Sequence, residues 1–213
     1  MLTKNGHNSS DLPSKIQLWK LVGRRKIKLA SGKIPAAFSL SLLMVLTIFV
    51  GSVASEMDCA GISHWSATSP PINQQHVFCG EWNNRKHRAA GFHSRPAGEI
   101  PATVGTLTVT QQPNAKGLYG IRWSYAGHPN REKFSTMFPD SCSRDQVLRS
   151  IVYAAKHPGA CPQGAPRWAQ CGPNKPLTDG SDYCEALDGS IFNIAFATLR
   201  DSNKVNTAFP IVE

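Results

Sequence analysis

Two histidines and a lysine define the chemistry open to this chain. His76 begins the phrase His76-Val77-Phe78-Cys79-Gly80-Glu81, and His93 follows Gly91-Phe92. Lys133 begins Lys133-Phe134-Ser135-Thr136-Met137-Phe138-Pro139-Asp140. An imidazole titrates near neutrality, so one ring accepts a proton while a second donates one. An ammonium beside them offsets negative charge that builds up during the reaction. Cleavage of RNA by its own 2′-hydroxyl needs these three groups: a base for the hydroxyl, an acid for the departing 5′-oxygen and a cation for the phosphorus centre. Between the histidines lies a basic tip, Arg85-Lys86-His87-Arg88, suited to holding phosphates.

The same residues support other readings. His76, Cys79, His87 and His93 have tolerable spacing for a tetrahedral zinc ion. Cys79 beside either histidine fits a cysteine hydrolase, provided that its thiol is unpaired. A disulfide-stapled binding module with structural histidines is the third.

The elements that must carry these groups are read from periodicity. Val104 to Thr110 alternates and is rich in β-branched residues, which predicts a strand. Leu118 to Tyr125 follows a Pro113-Asn114-Ala115-Lys116-Gly117 turn and pairs with it. Ser143-Arg144-Asp145-Gln146 is a capping box. Val147, Leu148, Ile151, Val152 and Ala155 then recur at helical spacing until His157-Pro158-Gly159 ends the helix. Residues 158–182 are dense in Pro, Gly and Cys and predict a long loop stapled by Cys161 and Cys171. Ser190 to Leu199 and Val205 to Val212 predict a closing hairpin. The expected class is α+β, antiparallel sheets with a few helices.

The chain has 213 residues, and its formal charge of +9 is unevenly spread. Residues 1–54 hold eight Lys/Arg and one acid, whereas the rest hold fifteen and thirteen, leaving only +2. The high pI therefore belongs to the N-terminal segment, and RNA binding would need a local patch. Residues 34–54 carry no charge, follow a basic stretch and end in Ser52-Val53-Ala54. That pattern predicts a signal peptide cut near Ala54, with an uncleaved membrane anchor as the alternative. The expected organisation is 1–54 targeting segment, 55–75 irregular lead-in and 76–213 folded domain, secreted, periplasmic or anchored outside the cytoplasm. Membrane contact is expected only through the N-terminal segment. All six cysteines, Cys59, Cys79, Cys142, Cys161, Cys171 and Cys184, follow the apolar run, as three disulfides in an oxidising compartment would require. Cys161 and Cys171 are expected to pair across their short loop, and Cys79 to be oxidised.

His76 to Glu81, Ala90 to His93, the Lys133 to Asp140 segment and Asn206-Thr207-Ala208-Phe209-Pro210 occur in this order. Together they resemble the EndoU-type endoribonucleases, which include the coronavirus uridylate-specific enzyme and bacterial toxin domains. The resemblance covers residues 76–210. It implies an EndoU-like nuclease domain acting on RNA, with His93 as general base, His76 as general acid and Lys133 stabilising the transition state. It also implies a 2′,3′-cyclic phosphate product and preference for uridine. No cofactor is required in this reading. Some relatives are stimulated by Mn²⁺, although no acidic ligand cluster stands out here. Two departures concern base recognition. Phe209 stands where many members carry a tyrosine; its ring stacks but has no hydroxyl. The base-reading hydroxyl falls on Ser135, Thr136 or Thr207, while strict alignment with the viral lysine segment puts Met137 there.

Overall fold

A computed structural model describes residues 57–178 and 181–212. The 34–54 apolar run lies outside the described residues, and among those described no helix is long and apolar enough to cross a membrane. The architecture is mostly antiparallel sheet with one main helix and three disulfides.

The described residues open with bends and bridges, then one π-helical turn, Gln75–Cys79. A hairpin follows, β1 (Glu81–Asn83) and β2 (Arg88–Ala90). Strands β3 (Val104–Gln111), β4 (Tyr119–Tyr125) and β5 (Glu132–Met137) form an antiparallel meander. Helix α1 (Arg144–Lys156) leads to a second antiparallel sheet of β6 (Gln170–Pro173), β7 (Asn193–Thr198) and β8 (Val205–Pro210).

Helix α1 starts as its sequence requires. The Ser143 hydroxyl accepts from the Gln146 amide, and the Gln146 side chain accepts from the Ser143 amide. Val147, Leu148, Ile151 and Ala154 form its buried stripe, joining Ile194 and Phe196 of β7 in the larger core. The cap is therefore expected to matter measurably: Ser143→Ala should cost about 1 kcal/mol in urea unfolding. An unchanged midpoint would show that packing alone holds the helix start.

The expected helix and the β3–β4 pair are observed, and the closing hairpin is observed in slightly shortened form. The stretch at 158–182 differs from its expected loop, because β6 lies within it and pairs with β7. Four residues containing Gly172 and Pro173 carry no alternation; the strand exists because Cys171 is tied to Cys161 and its backbone adds to an available sheet edge. Cys59–Cys79, Cys142–Cys184 and Cys161–Cys171 are the three disulfides, so the pairing expected for the short loop and the oxidised Cys79 are both present.

A second, smaller core lies between the hairpin and the meander and contains Ala89, Phe92, Ile121, Trp123 and Met137. The π-helical turn, the segment after β2, β5 and β8 meet at its edge, and the candidate site lies there.

Candidate active site

Gly91 brings the two histidines together. It has a φ of +77°, and a Cβ at this position would overlap the His76 carbonyl. The close approach lets Phe92 N–H donate to the His76 carbonyl at 2.7 Å and His93 N–H donate to the Val77 carbonyl at 2.7 Å. The imidazole centroids end 6.2 Å apart. Seventeen residues of sequence separation are thus closed by backbone bonds that only glycine permits without strain.

The two rings are wired differently. His93 is buried, and its Nδ1 lies 3.0 Å from the Thr136 carbonyl. A carbonyl only accepts, so Nδ1 carries the proton and Nε2 keeps its lone pair. Burial, reinforced by the charges of Lys133 and His76, pulls the His93 pKa well below the ordinary imidazole value. His93 is therefore a neutral ring with a basic nitrogen. His76 instead places Nδ1 2.8 Å from the Glu81 carboxylate. Burial works against the Glu81 charge, but the His76 and Asn73 hydrogen bonds outweigh it and hold the carboxyl below its usual range. The carboxylate is the counter-charge that an imidazolium needs, so His76 is equipped to carry the proton that an acid gives. Glu81 belongs to the quoted His76 phrase, but only the structure shows its carboxylate on the ring.

Lys133 approaches from β5. Burial, followed by repulsion from Arg88, pulls its pKa down to about 7. Its Nζ donates to the Ser135 hydroxyl at 2.6 Å and to the Phe134 carbonyl at 2.9 Å. Ser135 also accepts from the Trp123 indole at 3.0 Å and donates to the Gly91 carbonyl at 3.0 Å. The hydroxyl is fully used and almost wholly buried. It ties the lysine to the turn that carries the histidines.

The three groups line one cavity of about 520 Å³. Among the described residues no Asp or Glu lines it, while Arg88 and Lys133 do, which suits an anionic ligand. Phe209 stacks on His93 at 5.1 Å between centroids. Of the candidate base-reading hydroxyls, Ser135 is occupied beneath the lysine, and Thr136 donates to the Pro210 carbonyl at 2.6 Å. Thr207 lines the cavity with no side-chain hydrogen bond among the described residues. Met137 is fully buried in the smaller core and does not line it. Arg88 reaches the cavity, but Arg85 and Lys86 sit on the exposed turn between β1 and β2 and do not. Asn206, from the same phrase as Thr207 and Phe209, also lines it, as do Gln111 and Trp168, which nothing in the sequence spacing marked.

Cys79 is bonded to Cys59, so it is neither a nucleophile nor a zinc ligand. Among the described residues no group of three or more His, Cys, Asp or Glu side chains is arranged to hold a metal ion.

A neutral imidazole, a carboxylate-paired imidazole and a half-buried ammonium around an acid-free cavity are the parts of a phosphodiester-cleaving enzyme. The family model described as Bacterial EndoU nuclease matches residues 72–212, well over half of the chain. The chain belongs to that family. Membership makes it a nuclease with nucleic acid as its substrate and implies ribonuclease activity. No curated protein and no solved structure matches the chain.

Proposed function

We propose that the chain is an exported endoribonuclease cleaving single-stranded RNA, preferentially at uridine, by attack of the 2′-hydroxyl on the adjacent phosphorus. His93 Nε2 takes the hydroxyl proton. The 2′-oxygen bonds to phosphorus, and the bond from phosphorus to the 5′-oxygen breaks. His76 gives its proton to that oxygen, leaving a 2′,3′-cyclic phosphate. Lys133 and Arg88 offset the negative charge on the phosphoryl oxygens. The observation that carries this reading is the opposite wiring of two rings 6.2 Å apart, one on a carbonyl and one on a carboxylate.

Phe209 and Thr207 support base recognition, the ring as a stacking face and the hydroxyl as a hydrogen-bonding group. Three disulfides and the basic-then-apolar N-terminal segment support a site of action outside the cytoplasm. The three side chains act without a cofactor in this reading, with Mn²⁺ at most a stimulant.

Purified residues 55–213 incubated with uridine-containing RNA should give fragments ending in a cyclic phosphate, with EDTA present or absent. DNA and 2′-O-methyl RNA of the same sequence should resist, since neither offers the nucleophile. Equal cleavage of DNA would overturn the transesterification. Equal cleavage of uridine-free RNA would remove the base preference alone.

A further inference from the structure

Six large hydrophobic side chains are exposed among the described residues, and just two of them are aromatic, Phe134 and Trp168. Both line the catalytic cavity. Leaving an indole 60 % exposed and a phenyl 43 % exposed forgoes burial energy that the fold elsewhere collects. The aliphatic members of the set do not line the cavity.

Each ring is held rather than loose. Trp168 sits on the loop closed by Cys161–Cys171. Ala165 and Ala169 on either side of it pack against the small cluster of Cys171, Ala195 and Ile211, and the Ala169 amide donates to the Pro166 carbonyl at 2.9 Å. The indole meets Phe209 edge to face, with centroids 6.0 Å apart at 63°. His93, Phe209 and Trp168 therefore form a continuous aromatic run from the basic imidazole outward. Phe134 lies on the lysine side. Its ring rests over Gly120, where a Cβ would come within 2.8 Å of it, so the glycine provides its seat. Exposed Arg122 is its cross-strand partner and shares its face of the sheet.

Resting on the nuclease reading above, we propose that Trp168 and Phe134 are two base-stacking platforms, one for the nucleotide on each side of the cleaved dinucleotide. The occupant is single-stranded RNA, because a duplex offers no unstacked base faces. Its phosphates meet Arg88 and Arg122, and every base has a face that an aromatic ring accepts regardless of sequence. A preformed, disulfide-closed loop lowers the ordering cost of binding. The substrate therefore spans at least four nucleotides, and affinity grows with length beyond the dinucleotide.

Oligonucleotides with a single ribonucleotide in a 2′-O-methyl background confine cleavage to one linkage, and abasic sites placed on either side remove one flanking base at a time. Trp168→Ala should lower kcat/KM on a pentanucleotide about tenfold or more and leave the matching dinucleotide unchanged. Removing the base that Trp168 holds should cost the native protein the same factor and cost Trp168→Ala nothing further. Phe134→Ala should behave likewise at the opposite flank. Trp168→Phe should retain most of the rate and Trp168→Leu should not, which separates stacking from wall-forming. Equal losses on dinucleotide and pentanucleotide, or no loss on either, would overturn the proposal. Affinity for all-2′-O-methyl pentanucleotide, read by anisotropy, tests the platforms without cleavage. Loss of that affinity in Trp168→Ala upholds them even if no RNA is cut, whereas no binding by the native protein sinks them.

Discussion

Alanine at His93 or at His76 should lower the single-turnover cleavage rate by ~10²-fold or more, the usual cost of removing a positioned acid or base. The fold should survive both changes. Neither ring belongs to a hydrophobic core, and the backbone bonds that join the Gly91 turn to the π-helical turn do not use the imidazoles. The two variants should differ in their pH profiles, because the rings act in opposite protonation states. Loss of His93 removes the limb on which rate rises as the base deprotonates. Loss of His76 leaves that rising limb in place. Glu81→Gln keeps the hydrogen bond to His76 but deletes the counter-charge, so its loss should be smaller than that of His76→Ala and should leave the rising limb in place. Because both rings act in one transesterification step, the double variant should be far less impaired than the product of the single losses. Robust cleavage by His76→Ala/His93→Ala would remove both residues from the mechanism.

Helix α1 was legible because its cap and its apolar stripe act within a few residues of each other. The β3–β4 pair was legible for the same local reason, with alternation on both sides of a Pro-Asn-x-Lys-Gly turn. The site elements were harder to read because their patterns run against the hydrophobic rule. Strand β5 buries Ser135 and Met137 and exposes Phe134, so its serine faces inward and its phenylalanine outward. A buried serine is acceptable only with its hydrogen bonds satisfied, and the partners, Trp123, Lys133 and the Gly91 carbonyl, come from three segments. Strand β6 is equally non-local, created by a disulfide and a neighbouring edge. Residue types and phrase order brought His76, His93 and Lys133 forward as candidates. Their wiring depends on a carboxylate five residues from one ring and a carbonyl 43 residues from the other. Trp168 has no sequence pattern of its own, and only the closed loop places it at the cavity.

Lys133→Met should abolish most activity and at the same time stabilise the protein at acidic pH. In the folded chain the half-buried ammonium is partly desolvated and feels the charge of Arg88, which brings its pKa down to about 7, whereas an unfolded lysine titrates near 10.5. Below pH 7 both states hold the proton, and the fold bears the full cost of the partly desolvated cation. Between about 7 and 10.5 the unfolded state binds a proton that the folded state has released, so native stability rises with pH across that window. Above it both forms are neutral and the penalty is gone. Methionine carries no proton at any pH and fills a similar volume, while Trp123 and Gly91 still engage the Ser135 hydroxyl. The variant should therefore gain about 1–3 kcal/mol over the native protein in urea unfolding at pH 6, an amount set by the desolvation that no longer has to be met. That gain should shrink as pH approaches 10. Activity should show the complementary cost. If the ammonium offsets phosphoryl charge, kcat/KM of the native enzyme, which reports the free protein, falls as pH rises through about 7. Lys133→Arg keeps its charge across this range, so it should recover part of the rate and lose that fall, although a planar guanidinium does not reproduce the compact contact with Ser135. An equal stability difference at pH 6 and pH 10 would show that the Lys133 pKa is not lowered in solution. Full activity in Lys133→Met would show that the site does not need its charge.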